Sequence, residues 1–419
     1  MLFRTPEVTL KVLVAPSRRL SIARFKRWLF PVRGLRTVLA SLVAGGLLAL
    51  PAAAFAQFSL GLTGTANLGY SSTVYARDAG TGETRSGDFS QQYSAGADAH
   101  YNWSRQKFDA SIQSGDVNYS KLSELDHSPY SVSAGWRGGI GHYFDAGASI
   151  SRFRQMVAFD TILGSDLIIQ TSESKNVSLN LSGNPKWRLS TGAYKTVTDS
   201  PRVDVPELRE VTKGTEAAFQ YLGWTRLVAG IGAQHSTGNF RGGGSTEPTF
   251  RQSSGQFSLA YTLTQSSVNA SMGYTRRTSP QDSNDAKALT GNLEIQRQLT
   301  AKVAMNLYAR RVVNSYTADA GVAVNTMAAL NLNYLLTRKI RLNANYARSE
   351  SRLPGQEPDG GSRIDHARTA AIGAAYQPAS WITLSAGWES RHSDLDSADY
   401  SGFNFGLNLN KRWQAIGTQ

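Results

Sequence analysis

From residue 58 onward, apolar and polar residues alternate one for one. Phe58, Leu60, Leu62, Gly64, Ala66, Leu68 and Tyr70 share one parity, and Ser59, Thr63, Thr65, Asn67 and Ser71 share the other. A repeat of two sends successive side chains to opposite faces, which predicts strands with one apolar and one polar side. The pattern recurs in eighteen segments of seven to nineteen residues, beginning with 58–76, 89–103 and 108–120 and ending with 368–377, 382–390 and 402–413. The longer segments match the roughly nine to eleven residues that a tilted strand needs to cross a bilayer.

The connections between segments alternate in length. Short turns fall at 104–106, 137–142, 183–186, 222–226, 264–266, 300–302, 336–339 and 378–381, and long polar loops such as 77–88, 278–288, 350–367 and 391–401 lie between them. Short turns on one side and long loops on the other are the pattern of an outer-membrane barrel, whose short turns are periplasmic. The prediction is an all-β fold: a transmembrane antiparallel up-and-down β-barrel of about 18 strands in the outer membrane of a Gram-negative bacterium.

Tryptophan placement tests the orientation separately, because indole prefers the membrane–water interface, where its ring is buried and its N–H stays solvated. Trp103, Trp136, Trp187, Trp224, Trp381 and Trp413 lie at or beside the short turns or in the last segment, and are expected to form one interfacial girdle. Tyr70, Phe89, Tyr119, Phe153, Tyr274, Tyr316 and Tyr346, near the long-loop ends, are expected to form the other.

The amino-terminal region departs from this text. Nine Lys and Arg precede residue 40, an apolar run covers 38–50, and Ala54-Phe55-Ala56 offers a small-x-small cleavage site. This predicts that 1–56 is a signal peptide with an extended basic n-region and that 57–419 is the barrel. The net charge of +13 falls to +5 over the barrel segment, which holds 35 basic and 30 acidic residues. No basic stripe runs along either face, so no nucleic-acid partner is expected. The chain contains no cysteine, and no soluble cofactor is implied.

The polar parity carries the candidate chemistry. Residues expected to line the lumen are Asn180, Gln256, Asn269, Asn292, Glu294, Gln296, Asn331, Asn333, Arg341, Asn343, Asn345, Asn404, Asn408 and Asn410, a wall rich in amides and nearly neutral. A barrel of sixteen to eighteen strands leaves an aqueous channel unless it is plugged. Amides and hydroxyls exchange hydrogen bonds with sugar hydroxyls, whereas rings of a single charge select ions. The same residues also suit any hydrated wall. Inward aromatic candidates are few, Tyr143, Tyr194 and Tyr308. The apolar stretch 156–171 reads either as a hairpin prolonging two strands or as an inward constriction. Arg152, Arg154, Arg276, Arg277, Arg310, Arg311, Arg348 and Arg391 collect near the outer strand ends, where guanidinium suits lipopolysaccharide phosphates as well as ordinary solvent. The six histidines are dispersed without metal-ligand spacing, and no nucleophile-elbow or phosphate-loop pattern occurs, so no catalytic residue is expected.

Several hairpin texts resemble the outer-membrane β-barrel porin family associated with exopolysaccharide biosynthesis operons. They are Asp126-His127-Ser128-Pro129-Tyr130-Ser131-Val132-Ser133-Ala134-Gly135-Trp136, Leu299-Thr300-Ala301-Lys302-Val303, Leu336-Thr337-Arg338-Lys339-Ile340 and Gln377-Pro378-Ala379-Ser380-Trp381-Ile382, together with Asp399-Tyr400-Ser401-Gly402 and the segment that follows. The resemblance implies a channel exporting a secreted exopolysaccharide. Its expected partners are outer-membrane lipid and lipopolysaccharide, the barrel-assembly machinery, a periplasmic polysaccharide export protein and the polysaccharide itself. A passive uptake porin for oligosaccharides or small solutes, and a non-conducting structural barrel of an export complex, remain alternatives. Where such barrels end on an aromatic residue, this chain continues from Trp413 through Gln414 to Gln419.

Overall fold

The computed structural model describes residues 58–72, 87–141, 143–157, 168–200, 209–241, 249–279, 282–315, 322–353, 363–394 and 400–416. The predicted signal segment 1–56, the stretch 158–167 and Tyr316 lie outside the described residues.

The described chain forms eighteen strands: β1 Phe58–Ser71, β2 Asp88–Trp103, β3 Gln106–Tyr119, β4 Tyr130–Ile140, β5 Phe144–Val157, β6 Ile168–Asn184, β7 Trp187–Asp199, β8 Arg209–Tyr221, β9 Leu227–Arg241, β10 Thr249–Thr262, β11 Ser266–Ser279, β12 Asp282–Gln298, β13 Val303–Ser315, β14 Val322–Leu335, β15 Ile340–Leu353, β16 Arg363–Ala379, β17 Ile382–Ser393 and β18 Tyr400–Ile416. Each pairs antiparallel with its sequence neighbours, and β18 pairs with β1, so the sheet closes on itself. Closure removes both edges, the condition for a sheet to sit in lipid.

The short turns follow from local chemistry. In Leu299-Thr300-Ala301-Lys302-Val303, Thr300 Oγ1 accepts the N–H groups of Lys302 and Val303 at 3.2 and 3.1 Å. Thr337 repeats this with Lys339 and Ile340 at 3.2 and 3.0 Å. A hydroxyl bonded to backbone two and three residues on stabilises a tight turn and fixes the register of the strands that leave it. Asn184 Oδ1 does the same for the Lys186 N–H at 2.8 Å.

Register assigns the faces. Leu62 lies opposite Ala97 and Trp413, Leu189 opposite Leu181 and Phe219, and Ile231 opposite Phe219 and Phe257. These apolar residues form an outer belt that stays exposed in the isolated chain, with Met272, Ile231 and Val177 63%, 62% and 60% accessible. A continuous apolar surface of this extent is the lipid-facing side of a membrane barrel. The predicted tryptophans all occur toward the short-turn end. Trp187 stacks on Phe219 at 4.8 Å and meets Tyr221 at 4.4 Å, while Trp224 packs edge-on against Tyr221 at 4.7 Å. The Trp136 Nε1–H donates to Gln106 Oε1 at 2.7 Å, so its ring faces outward without leaving a polar atom unmet.

The structure changes four details of the sequence reading. Arg137 to Ile140 continue β4, and β5 and β6 extend the apolar stretch as paired strand at both ends, Met156 opposite Ile169 and Val157 opposite Ile168. Tyr119 and Phe153 fall on the polar parity, Tyr119 opposite Ser90 and Phe153 opposite Ser131 and Ser172, so the second girdle retains Tyr70, Phe89, Tyr274 and Tyr346. Tyr143 sits in the β4–β5 turn instead of the lumen. The last strand runs past Trp413, with Gln414 pairing with Gly61 and Ile416 with Leu60.

One ladder is incomplete. The β12–β13 register runs from Gln298 opposite Ala304 only to Gly291 opposite Arg311, although both strands continue toward the long-loop end. Beyond that point, Ala286 and Ala288 of the inner parity of β12 join Val313 and Val324 of the outer parity of β13 and β14 in one buried cluster. An inner face meeting an outer face means that β13 and β14 pass inside β12 there, as a lap joint in the wall.

Candidate functional site

The inner wall is the candidate site. Contacts that skip a strand identify it as concave: Gln234 of β9 donates to the Tyr194 hydroxyl of β7 at 2.8 Å, across β8. All fourteen residues expected to line the lumen share this parity. Asn331 and Asn333 stand opposite Asn345 and Asn343, and Asn345 Nδ2 donates to Asn331 Oδ1. Arg341 is two places along the same strand from Asn343. Asn269 stands opposite Glu294, with Asn292 and Gln296 on either side, and Ser271 Oγ donates to Asn292 Oδ1. Across the closing seam Asn408 Nδ2 donates to Asn67 Oδ1, Asn410 lies opposite Thr65, and Asn404 is two turns of the pleat beyond. Gln256 opposes Gly232 and Gly273, and Asn180 opposes Asp145 and Ser190. The amides therefore gather in two fields, over β11–β15 and over β18–β1, with Asn180 and Gln256 apart from both.

Each amide has two donors and two acceptor lone pairs, so a single neighbour contact leaves capacity unspent. Such a wall holds water and can exchange it for hydroxyl groups at little net cost.

A charged cluster at the short-turn end escaped the sequence reading. His100 Nδ1 lies 2.6 Å from Asp109 Oδ1, and its Nε2 lies 3.3 Å from Asp98 Oδ2. The Arg412 guanidinium donates to Asp98 Oδ2 at 2.9 Å, and Arg137 reaches Asp109 at 3.9 Å. The chain Arg412–Asp98–His100–Asp109–Arg137 thus spans β18, β2, β3 and β4 by way of β1. Gly61 leaves room for this: a Cβ there would sit 2.6 Å from Asp98 Oδ1, in the space the carboxylate takes as it leans across β1 toward Arg412. The signal was available in the two-residue turn Ser104-Arg105. With Trp103 opposite Gln106, strict antiparallel pairing places His100 opposite Asp109. The wall at this end accordingly carries opposed charges, two guanidinium groups against two carboxylates.

At the long-loop end the arginines divide. Arg152, Arg154, Arg276, Arg311 and Arg348 follow the outer parity, whereas Arg277, Arg310 and Arg391 follow the inner one. Arg277 is 4% exposed, and its Cζ lies 3.6 Å from the Phe250 ring centroid, so its charge meets an aromatic face in place of a lipid phosphate. Phe240 approaches Phe250 at 6.0 Å. Phe250 lies across Gly238 and Tyr194 across Gly214, in space that a Cβ would fill. These rings therefore lie along the wall. Tyr308, opposite Glu294 and Ala329, also shares the inner parity.

Among solved structures, the chain is similar to the FrpB iron transporter from Neisseria meningitidis in its F5-1 variant apoprotein form, with a TM-score of 0.50 at 12% identity over 80% of this chain and 61% of that one. The F3-3 variant of the same transporter gives 0.49 at 11% identity over 80% and 62%. The outer membrane protein opdK from Pseudomonas aeruginosa gives 0.49 at 10% identity over 84% and 99%. The chain spans about three fifths of the length of the FrpB structures. No protein-family model and no curated protein matches the sequence. At these identities the likeness shows the fold: a closed antiparallel barrel of the Gram-negative outer-membrane type, here with eighteen strands and in contact with membrane lipid through its apolar belt.

Proposed function

We propose that the barrel is a passive outer-membrane channel whose lumen carries a hydroxyl-rich polymer, an exopolysaccharide, out of the cell. The observation that supports this most is the pair of amide fields on the inner wall, Asn331–Asn345 with Asn333–Asn343 and Asn67–Asn408 with Asn410. They offer successive donors and acceptors along the path, so a sugar chain can trade water for wall at each step without being held. Mixed charge at the short-turn mouth adds no net preference for an anion or a cation. The chain's force comes from polymerisation or export inside the cell, and the wall lowers the desolvation cost of passage. A periplasmic polysaccharide export protein would deliver the polymer at the short-turn end, and the barrel-assembly machinery would insert the chain.

The test is a clean deletion in the source bacterium, comparing polymer outside the cell with polymer held in the periplasm. Loss outside with accumulation inside, restored by complementation, is the expected result. Unchanged secretion would overturn export and leave the uptake of oligosaccharides or small solutes, which needs the same wall and predicts slow growth on limiting solute. Absence of both defects would point to a structural barrel in an export complex.

A further inference from the structure

The eight short turns at the tryptophan end contain no Asp or Glu, whereas five of them carry Lys or Arg: Arg105, Lys186, Arg226, Lys302, and Arg338 with Lys339. All six side chains are exposed. Arg105 leans over the next turn, where its Nη1 donates to the Gly141 carbonyl, and so keeps its charge without meeting an acid. The acids nearest this end among the described residues, Asp98, Asp109, Asp145, Glu216 and Glu294, all follow the inner parity. The outer-parity charges at the same height are cations, Arg297 and Lys411. Charge is therefore sorted through the wall. Acids and their partners Arg137 and Arg412 share the inner parity, and cations without an acid form a collar at the rim.

The tryptophan girdle fixes the level of this collar. Arg105 is two residues past Trp103, Lys186 immediately precedes Trp187, Arg226 is two residues past Trp224, and Lys411 is two before Trp413. Trp381 finds its cation on the neighbouring turn: the Gln377 N–H donates to the Lys339 carbonyl at 2.7 Å, which sets the β16–β17 turn beside the β14–β15 turn. An indole settles at the boundary between acyl chains and headgroups. One or two residues further along an extended chain is about 3 to 7 Å, which brings a long cationic side chain to the lipid phosphates. A leaflet that contains anionic lipid has a negative surface potential that draws Lys and Arg held within a Debye length of it. The spread of the collar decides between a lipid and a protein occupant. The cationic turns join β2 to β3, β6 to β7, β8 to β9, β12 to β13 and β14 to β15, and so follow the closed sheet around its circumference. A docked protein meets one sector of such a ring, whereas an annulus of lipid meets all of it.

We propose that this collar binds anionic phospholipid of the periplasmic leaflet, with a headgroup phosphate at each cationic turn and the adjoining indole against its acyl chains. The bound phosphates offset the charge of the collar, so the mouth keeps the balance set by its inner-parity groups. The inference rests on the outer-membrane placement and is independent of what the lumen carries.

The test uses the full barrel purified in neutral detergent and offered phosphatidylglycerol and phosphatidylcholine with identical acyl chains at equal concentration. Retained lipids are counted by native mass spectrometry. The wild type should retain phosphatidylglycerol at least five-fold over phosphatidylcholine, and the ratio should fall at least two-fold from low to high ammonium acetate. Lys186→Gln, Arg226→Gln, Lys302→Gln and Lys339→Gln together should bring the ratio to within two-fold of unity. Replacing four exposed cations of the long-loop end, Lys195, Lys213, Arg251 and Arg348, by Gln should leave it unchanged. Equal retention of the two lipids by the wild type would overturn the proposal and leave an acidic protein as the occupant of this rim. A preference that survives the collar variant, or falls as far in the long-loop variant, would overturn the collar as its source. Displacement of phosphatidylglycerol by inorganic phosphate at equal concentration would replace the lipid with a soluble anion. If the fourfold collar variant does not yield the heat-modifiable folded form, Lys302→Gln with Lys339→Gln serves instead, because Thr300 and Thr337 hold those turns through backbone N–H groups. That pair should halve the ratio, and an unchanged ratio would again overturn the collar.

Discussion

Asp98 Oδ2 is met from both sides, by the Arg412 guanidinium at 2.9 Å and by the His100 imidazole at 3.3 Å. It holds together charges from strands that begin and end the chain, and it can do so because Gly61 presents no side chain between them. Removing Arg412 as Arg412→Gln leaves Asp98 and Asp109 facing the mouth with one guanidinium fewer. The expected result is a shift of the pore toward cations, by about two-fold in permeability ratio, since charge near a constriction sets ion preference. Reversal potentials in planar bilayers under a salt gradient measure it, and an unchanged ratio would remove the cluster from the conduction path. Asp88 plays a different part at the opposite end. Almost fully buried, it accepts the N–H groups of Phe89, Lys121 and Leu122 at 2.7, 2.9 and 2.9 Å and so fastens the β3–β4 connection, with its short 3-10 helix Ser123–Leu125, onto the rim. Asp88→Ala leaves those donors without a partner, at about 1–3 kcal/mol for a buried group. Amide exchange at Lys121 and Leu122 should accelerate by at least ten-fold while the strands below keep their protection. Unchanged exchange would show that the connection is held by Leu125 and the Val117–His127 bridge instead.

Strands are where the sequence was most informative, and the reasons are local. Alternation fixed which residues pair with which face, and the Thr300 and Thr337 turns fixed where strands reverse, because a side chain and the backbone two residues away settle both matters. The amides of β14 and β15 were found for the same reason: a tight turn carries the register up both strands. Long connections carry no such information. Arg277, Arg310 and Arg391 were placed at a rim by position along the chain, but their facing depends on parity counted from the far turn, and the inner parity won. Tyr119 and Phe153 were misread in the same way. The lap joint at β12–β13 was not legible at all, since it is a property of two strands diverging and each keeps its own alternation. It makes a sharp prediction in a chain without native cysteine. Ala288→Cys with Val313→Cys should form a disulfide under mild oxidation, visible as a mobility change reversed by reductant. If the strands remained side by side, these positions would lie on opposite faces of the wall and would not cross-link.

At the scale of the whole barrel, the outer and inner surfaces answer different solvents. The outer one is apolar between a tryptophan girdle at the short-turn end and Tyr70, Phe89, Tyr274 and Tyr346 toward the other, which suits a membrane-spanning wall. The inner one is mostly polar, with the Tyr194 and Phe250 rings lying over Gly214 and Gly238. Among the described residues, every strand belongs to the wall, and the size of an eighteen-stranded closure is compatible with a water-filled bore. The proposed transport depends on that bore being open and on neutral sugar entering it. The most direct measurement is single-channel conductance of the purified barrel in a planar bilayer, recorded while neutral dextrans of increasing size are added to the short-turn side. An open pore whose conductance falls reversibly with dextrans small enough to enter, and is indifferent to larger ones, is the predicted result. A barrel that inserts, folds and never conducts would contradict the account.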